Sequence, residues 1–276
     1  MRIRISPDGS VTTPDTGRKL GSILQSPLSS IAEPGEVHLE IQLPNTHCNI
    51  GGPDPTTGQQ ACLMCPRNSE HFLPEHDRGA DIISSLRGKV AAVPVLRISG
   101  DAEPFWRNRV FELLDGLGID GESSIVKVFT TTNGTLIDND TAERWFKAVP
   151  QSELSFSVDA ATPGTYLKLR RVAEFDRVLA NLDNYCRTRD PDHHIAVLRN
   201  NINTINIDEV EEMIRMTKDY FFHFVVLSLT RPIQRSLNEI CLNEQNAGRF
   251  REAQNKAKEL AEELGVNVVF SGNWPS

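Results

Sequence analysis

The chain has no apolar run that approaches the roughly 20 residues a transmembrane helix needs, and its start, MRIRISPDGS, lacks the apolar stretch of a signal peptide. These absences predict a cytoplasmic protein that makes no membrane contact. Basic residues are also fewer than acidic ones. The chain has 29 Lys and Arg and 37 Asp and Glu, which gives a formal net charge of −8. A chain this acidic is not expected to bind nucleic acid.

Cysteine is scarce as well, with five in 276 residues. An odd number of cysteines in a reducing compartment does not indicate a disulfide framework. Three of them, Cys48, Cys62 and Cys65, share one loop with the spacing C-x13-C-x2-C. A structural zinc site would require a fourth ligand, whereas an iron–sulfur cluster with one open iron would not. Spacing alone leaves a cluster, a zinc site and buried free thiols open.

The rest of the chain alternates short β-rich runs with amphipathic helical patterns. Residues 1–35, rich in Pro, Gly, Ser and Thr, predict an N-terminal extension with a β-hairpin around Pro7-Asp8-Gly9. We predict that residues 36–235 form the main domain and that residues 236–276 form a C-terminal helix and a last strand. The predicted strands are 37–43, 92–99, 124–131, 153–159, 194–200, 222–229 and 266–270.

Strands that alternate with helices predict an α/β fold with a parallel sheet and right-handed crossovers. We predict a partial (β/α)6 TIM-like barrel, and a doubly wound sheet is the competing arrangement. In both folds the functional loops follow the carboxyl ends of the strands. The three-cysteine loop follows the first strand of the main domain, so it lies on that side.

Four phrases in this order resemble motifs of the radical S-adenosylmethionine (SAM) superfamily: LPNTHCNI…ACLMCPR, LRISGDAEPF, TTTNGTLID and LSFSVDAATPGTYLKLRRVAEFDRVLANL. The ending C-x-M-C-P-R is typical of SPASM-type members. The chain departs from the common C-x3-C-x2-C loop by the insertion GGPDPTTGQQ, whose turn-forming residues can bulge outward. No cysteine follows Cys241, so the auxiliary clusters of SPASM-type relatives are not expected.

The resemblance implies that Cys48, Cys62 and Cys65 bind three irons of a [4Fe–4S] cluster and that SAM binds the fourth. Reductive cleavage of SAM would give a 5′-deoxyadenosyl radical, which abstracts a hydrogen atom. The residues implied to contact SAM are Met64, Gly100, Asp101, Ala102, Glu103, Asn133, Ser157, Asp159, Arg170 and Arg171.

The chemistry of three groups supports these roles. A carboxylate such as Glu103 suits the methionyl amino group of SAM. Ser157 and Asp159 are two residues apart and share one face of a strand, where they could meet the ribose or the carboxylate of SAM. Arg170 or Arg171 offers a guanidinium fork for that carboxylate.

Three further residues have two interpretations each. Asn203 and Asn206 follow the fifth strand, where they could contact the nucleoside, and Asn206 is favoured as a helix cap. Cys241 lies after the sixth strand and is a candidate hydrogen-atom donor, as in some radical SAM epimerases. Its apolar neighbours equally suit a buried thiol.

We therefore predict a cytoplasmic radical SAM enzyme that abstracts a hydrogen atom from a small biosynthetic metabolite, a sugar or amino-acid derivative. The outcome would be epimerisation, rearrangement or elimination. The predicted partners are this substrate and an electron donor such as flavodoxin or ferredoxin. One alternative is the epimerisation or cross-linking of a peptide. The other is a non-catalytic zinc-binding or interaction protein.

Overall fold

The computed structural model describes residues 2–25, 37–44, 48–50, 61–68, 77–87, 90, 93–120, 127–232 and 237–275. The inserted segment 51–60 of the cysteine loop lies outside the described residues. So do the beginnings of two predicted strands, at 92 and at 124–126.

Ten strands of the described chain form a single sheet. Their bounds are β1 Arg2–Ile5, β2 Ser10–Thr12, β3 Lys19–Ser22, β4 His38–Gln42, β5 Val95–Ser99, β6 Lys127–Thr132, β7 Ser152–Ser157, β8 His194–Ile202, β9 Phe224–Leu229 and β10 Val268–Ser271.

The strands from β4 to β10 lie side by side in chain order, and every neighbouring pair among them is parallel. In the described chain the sheet runs from an edge at β10 to an edge at β3 without closing. The predicted partial barrel is therefore confirmed, with β4 to β9 as its six strands. The doubly wound alternative is excluded because the strand order does not reverse, as that fold requires.

The N-terminal residues extend the same sheet. Strands β1 and β2 form an antiparallel hairpin, and in the turn between them Ser10 donates its backbone N–H to Asp8 at 2.9 Å. Strand β1 then pairs in parallel with β4, and Arg4 lies opposite Glu40 with Nε 3.0 Å from its carboxylate. The segment is thus continuous with the barrel sheet. The domain divisions at residues 35 and 235 stay predictions.

Seven α-helices lie in the described chain: α1 Gly79–Leu86, α2 Arg109–Leu117, α3 Asn139–Ala148, α4 Pro163–Arg170, α5 Phe175–Thr188, α6 Val210–Asp219 and α7 Ala247–Leu264. Their apolar residues and alternate strand residues such as Leu39, Leu96 and Val128 form one buried core. Helix α7 ends at Gly265, whose φ of 68° is the left-handed conformation expected of a terminating glycine. No helix among these has the length and apolar character needed to cross a membrane.

The other face of the sheet, which we call the lumen face, carries charged as well as apolar side chains. Arg97, Phe129 and Glu153 lie in register across β5, β6 and β7. The guanidinium of Arg97 is 4.8 Å from the ring centre of Phe129. Because successive strand residues point to opposite faces, these side chains lie opposite the helix-covered core.

Candidate active site

A cavity of about 230 Å³ lies where the β4 loop meets the carboxyl ends of β5 to β8. We call it the cysteine cavity. Twelve of the fourteen residues predicted to act at the site line it: Cys48, Cys62, Met64, Cys65, Gly100, Asp101, Ala102, Glu103, Asn133, Ser157, Asp159 and Arg170. Their convergence follows from the parallel sheet, since the strand ends meet at one edge.

A tight turn shapes the C-x2-C part of the loop. The backbone N–H of Cys65 donates to the carbonyl of Cys62 at 2.9 Å, and the Asn68 side chain donates to the same carbonyl at 2.5 Å. The N–H of Leu63 donates to the carbonyl of Leu169 at 2.7 Å, which ties the loop to α4. Cys62 and Cys65 are thereby fixed against the cavity wall.

Burial governs the thiol chemistry. It raises the pKa of Cys48 to about 12, with a further contribution from the charge of Glu103, and it raises the pKa of Cys65 to about 11. Arg67 acts in the opposite direction on both thiols. Metal binding would displace the thiol protons, as it does at other thiolate sites.

Arg67 is an unusual neighbour for these thiols because only 6% of its surface is exposed. Its Nε and Nη1 atoms are buried without a hydrogen-bond partner among the described residues. A buried cation with free N–H donors would be stabilised by a thiolate-bound cluster, whose sulfurs are acceptors and whose charge is negative. The donor set therefore fits an iron–sulfur cluster.

In the described part of the chain no three His, Cys, Asp or Glu side chains form a preassembled ligand set for one metal ion. Mononuclear zinc gathers its thiolates on one ion, whereas a [4Fe–4S] cluster takes each thiolate on a separate iron.

Glu103 occupies the loop after β5. Its Oε1 accepts from the Thr132 hydroxyl at 2.8 Å and its Oε2 from the backbone N–H of Asn133 at 2.7 Å. Burial raises the pKa of this carboxyl to about 7 despite these hydrogen bonds. The loop depends on Gly100, because its φ is 114° and a Cβ there would lie 2.5 Å from the carbonyl oxygen of Leu43.

Asp159 and Arg170 form a buried ion pair on the opposite wall. The Arg170 Nη2 atom lies 2.6 Å from Asp159 Oδ2 and 2.6 Å from the Ser157 hydroxyl, and its Nη1 atom lies 3.8 Å from Cys62 Sγ. Asp159 has a φ of 65° and is oriented by the backbone N–H of Asn201, which donates at 2.6 Å. Burial raises the pKa of Asp159, and the nearby Arg170 opposes this.

Two asparagines that were not predicted complete the site. Asn49 joins the cysteine loop to the loop after β6, since its Oδ1 accepts from Asn133 at 2.9 Å and its Nδ2 donates to Thr135 at 2.8 Å. Asn201 lines the cavity and holds Asp159. Its position at the carboxyl end of β8, where functional loops begin, was the sequence signal that could have identified Asn201 as a site residue.

Asn206 takes the N-cap position before the helical turn Ile207–Glu209, as predicted, but the prediction that its side chain caps the helix is wrong. Its side chain makes no capping hydrogen bond, and its amide instead donates to the carbonyls of Asp159 and Asn201 at 2.8 and 2.9 Å. Asn203 is fully buried, and its backbone N–H donates to Asn206 Oδ1. In the structure both residues support the loop that carries Asp159.

Arg171 and Cys241 do not line the cysteine cavity. Arg171 ends α4 in the left-handed conformation with a φ of 60°. Cys241 is 3% exposed and precedes α7, where Asn246 donates to its carbonyl at 2.8 Å. The roles of Arg171 at SAM and of Cys241 as a hydrogen-atom donor stay predictions.

The cavity and the open barrel define a class of protein, an α/β enzyme with a sulfur-rich site at the strand ends. Residues 54–226 match the family model of the Radical SAM superfamily. The chain belongs to this superfamily, which is named for its use of SAM. Membership implies a [4Fe–4S] cluster. No curated protein sequence matches the chain.

Two proteins of known structure, SuiB and anSMEcpe, have a similar fold and were solved with SAM or a peptide bound. The structure of Streptococcus suis SuiB bound to precursor peptide SuiA has a TM-score of 0.61 at 15% identity, over 84% of this chain and 48% of that one. SuiB bound to S-adenosylmethionine gives 0.59 at 15% identity, over 85% and 51%. Native anSMEcpe with bound AdoMet and Cp18Cys peptide gives 0.60 at 14% identity, over 84% and 62%. The chain thus spans about half the length of SuiB, and these likenesses concern the fold alone.

Proposed function

We propose that Cys48, Cys62 and Cys65 hold a [4Fe–4S] cluster and that the remaining wall of the cysteine cavity binds SAM. The observation that carries this proposal is the convergence of twelve predicted residues, from separate loops, on that one cavity. When bound, the cluster and SAM supply the reductive cleavage of SAM and the abstraction of a hydrogen atom from the substrate.

The protein's own residues orient SAM. Glu103 is buried and held by three hydrogen bonds, so its carboxylate is preorganised to accept from the methionyl amino group. Arg170 has a buried Nε without a partner in the described chain, which leaves one N–H free for the SAM carboxylate. Asp159, fixed by Asn201 and Arg170, offers an acceptor to a ribose hydroxyl. Met64 would pack against the adenine.

The proposed substrate is a small metabolite on a biosynthetic route, and the proposed reductant is a flavodoxin or a ferredoxin. Epimerisation, rearrangement and elimination all begin with the same abstraction. The protein contributes a site from which water is excluded and in which one C–H bond is held close to SAM.

The experiment uses anaerobically reconstituted protein and measures iron, acid-labile sulfide and zinc, followed by electron paramagnetic resonance of the reduced protein with and without SAM. We expect about four irons per chain and a [4Fe–4S]⁺ signal that SAM shifts. Dithionite should then release 5′-deoxyadenosine. A protein that takes up zinc with no cluster signal would overturn the proposal and favour the zinc-binding alternative.

Peptide modification is the second candidate, and the observation that favours it concerns two similar folds. SuiB is bound to precursor peptide SuiA and anSMEcpe to the Cp18Cys peptide in their structures. In this chain β10 forms one edge of the described sheet, and Val269 on it is 47% exposed, so an extended peptide could pair there. Stimulation of 5′-deoxyadenosine release by peptides, and not by small acids or sugars, would favour this candidate.

A further inference from the structure

A second cavity, of about 360 Å³, adjoins the cysteine cavity and shares Met64 and Asn201 with it. We call it the arginine cavity, because Arg199 and Arg231 line it. The shared residues mean that a molecule in the arginine cavity would lie directly beside the proposed SAM site.

The strand register places four polar residues of this cavity, Arg199, Asn201, Ser228 and Ser271, on the lumen face. Arg199 of β8 lies opposite Ser157 of β7, which lines the cysteine cavity. Asn201 lies opposite Ser228 of β9, and Ser228 lies opposite Ser271 of β10. Residues opposite each other in neighbouring strands face the same side of a sheet, so Arg199 and the two serine hydroxyls face one space.

The cavity is positively charged although the chain as a whole carries a formal charge of −8. None of the described residues that line it is acidic, and its hydroxyls come from Ser228, Thr230 and Ser271. Two guanidinium groups and several hydroxyl donors around one space form a typical recognition set for an oxyanion.

Arg199, which lines this cavity, has an unused hydrogen-bond donor. Its Nε is buried without a hydrogen-bond partner among the described residues. Burial and the charge of Arg97 lower the pKa of Arg199, while Glu153 opposes them. Glu153 is shared with Lys127, whose Nζ lies 3.5 Å from its carboxylate, so it neutralises Arg199 incompletely. A buried N–H donor without an acceptor lowers the stability of the folded protein. An anionic ligand that accepted this hydrogen bond would recover that free energy.

We propose that the arginine cavity binds a carboxylate or phosphate group of the substrate through Arg199 and Arg231. The anion would anchor the substrate so that its neighbouring carbon faces SAM across Met64 and Asn201. This inference rests on the proposed function and narrows its substrate class to small anionic metabolites.

The test is isothermal titration of the anaerobic holoprotein at low ionic strength, once without SAM and once saturated with SAM. The probes are inorganic phosphate and glycerol phosphate in one arm, and succinate in the other. The variants are Arg199→Met, Arg199→Lys and Arg231→Met. The matched control is Arg215→Met, which changes an exposed arginine of α6 that is paired with Glu212. Cluster content and the thermal midpoint report on folding.

We expect at least one arm to bind, with Arg199→Met weakening binding about tenfold or more, since charge-assisted hydrogen bonds are lost. Arg199→Lys should recover part of the affinity, Arg231→Met should weaken binding less because Arg231 is exposed, and Arg215→Met should leave it unchanged. The probe that binds with higher affinity shows whether the cavity recognises a phosphate or a carboxylate.

Equal affinity in Arg199→Met and the holoprotein would overturn the inference. Anion binding that disappears when SAM is present would also overturn it, because the cavity would then belong to SAM itself. Either result leaves a SAM-shifted cluster signal intact. Failure of the proposed function would instead appear as absence of that signal, so the two failures are distinguishable.

Discussion

Arg170 and Asp159 form an ion pair across 2.6 Å in a setting where both side chains are less than one-tenth exposed. The arginine comes from the last turn of α4 and the aspartate from the loop after β7, so the pair fixes the helix against the strand end. The same guanidinium reaches Cys62 Sγ at 3.8 Å. One cation therefore links the cysteine loop, the strand end and the helix.

Breaking this pair should destabilise the fold strongly. Arg170→Met leaves the Asp159 carboxylate buried and unpaired, and we expect a loss of about 3–5 kcal/mol in the free energy of unfolding. The double variant Arg170→Met with Asp159→Asn should lose clearly less than the sum of the two single changes. Urea unfolding of the metal-free protein measures the cycle. Additive losses would show that the two side chains are not coupled.

The exposed pair between Arg177 and Glu174 provides the control for that cycle. Arg177→Met removes the same cation from a pair in water, so we expect a change of about 1 kcal/mol or less. A loss as large as that of Arg170→Met would mean that the arginine-to-methionine exchange itself is responsible.

Cys62→Ala should abolish the brown absorbance of the reconstituted protein and the release of 5′-deoxyadenosine. Two thiolates are insufficient to hold the cluster in the cysteine cavity. Cys186→Ala is the matched control, because Cys186 is a buried thiol of α5 outside the cavity. We expect it to keep iron, sulfide and activity near wild type. A cluster retained by Cys62→Ala would contradict the assignment.

Arg67 should raise the reduction potential of the cluster, since a buried positive charge favours the added electron. Arg67→Met should therefore shift the midpoint to lower potential, and a tenfold change in the one-electron equilibrium corresponds to about 59 mV. Redox titration followed by paramagnetic resonance measures the shift. Arg67→Lys keeps the positive charge, so its midpoint potential should lie between those of the wild type and Arg67→Met. An unchanged midpoint in Arg67→Met would remove Arg67 from this role.

The Glu103 carboxyl should make stability depend on pH. Burial raises its pKa from 4.5 to about 7, so the folded protein binds this proton more tightly than the unfolded chain does. The free energy of unfolding of the metal-free, SAM-free protein should fall as the pH rises from about 4.5 to about 7, by an amount on the order of 3 kcal/mol.

Denaturant unfolding at several pH values tests this expectation. Glu103→Gln carries no titrating proton, so its stability should decline less over the same interval. Glu112→Gln alters an exposed glutamate paired with Arg109 and should keep the wild-type slope. Equal slopes for Glu103→Gln and wild type would mean that other carboxyls, such as Asp159, cause the dependence.

Much of the fold was predictable because a parallel sheet covered by helices produces local signals. Each central strand is a short apolar run, and each of the predicted helices has one apolar face. Helix α4 lacks this signal, because Leu167, which is 51% exposed, and buried Leu169 both lie in its short span, so apolar residues do not mark one face. The Thr162 cap and Pro163 in its first turn were the signals that remained.

The site was predictable for a different reason. Residues directly after parallel strands converge, so the positions of Glu103, Asn133 and Asp159 follow from the topology. Long-range pairing could not be predicted in the same way. Arg4 meets Glu40 across 36 residues, and Arg170 meets Cys62 across 108.

The chain order of the strands from β4 to β10 also bears on how the protein assembles during synthesis. Each strand from β5 to β10 pairs with the strand made just before it, so from β5 onward the growing edge of the sheet is the most recently formed strand. The β1–β2 hairpin is made before β4, and its strand β1 pairs with the side of β4 that faces away from β5. Assembly can therefore advance in one direction along the nascent chain, with no step that waits for a strand made later.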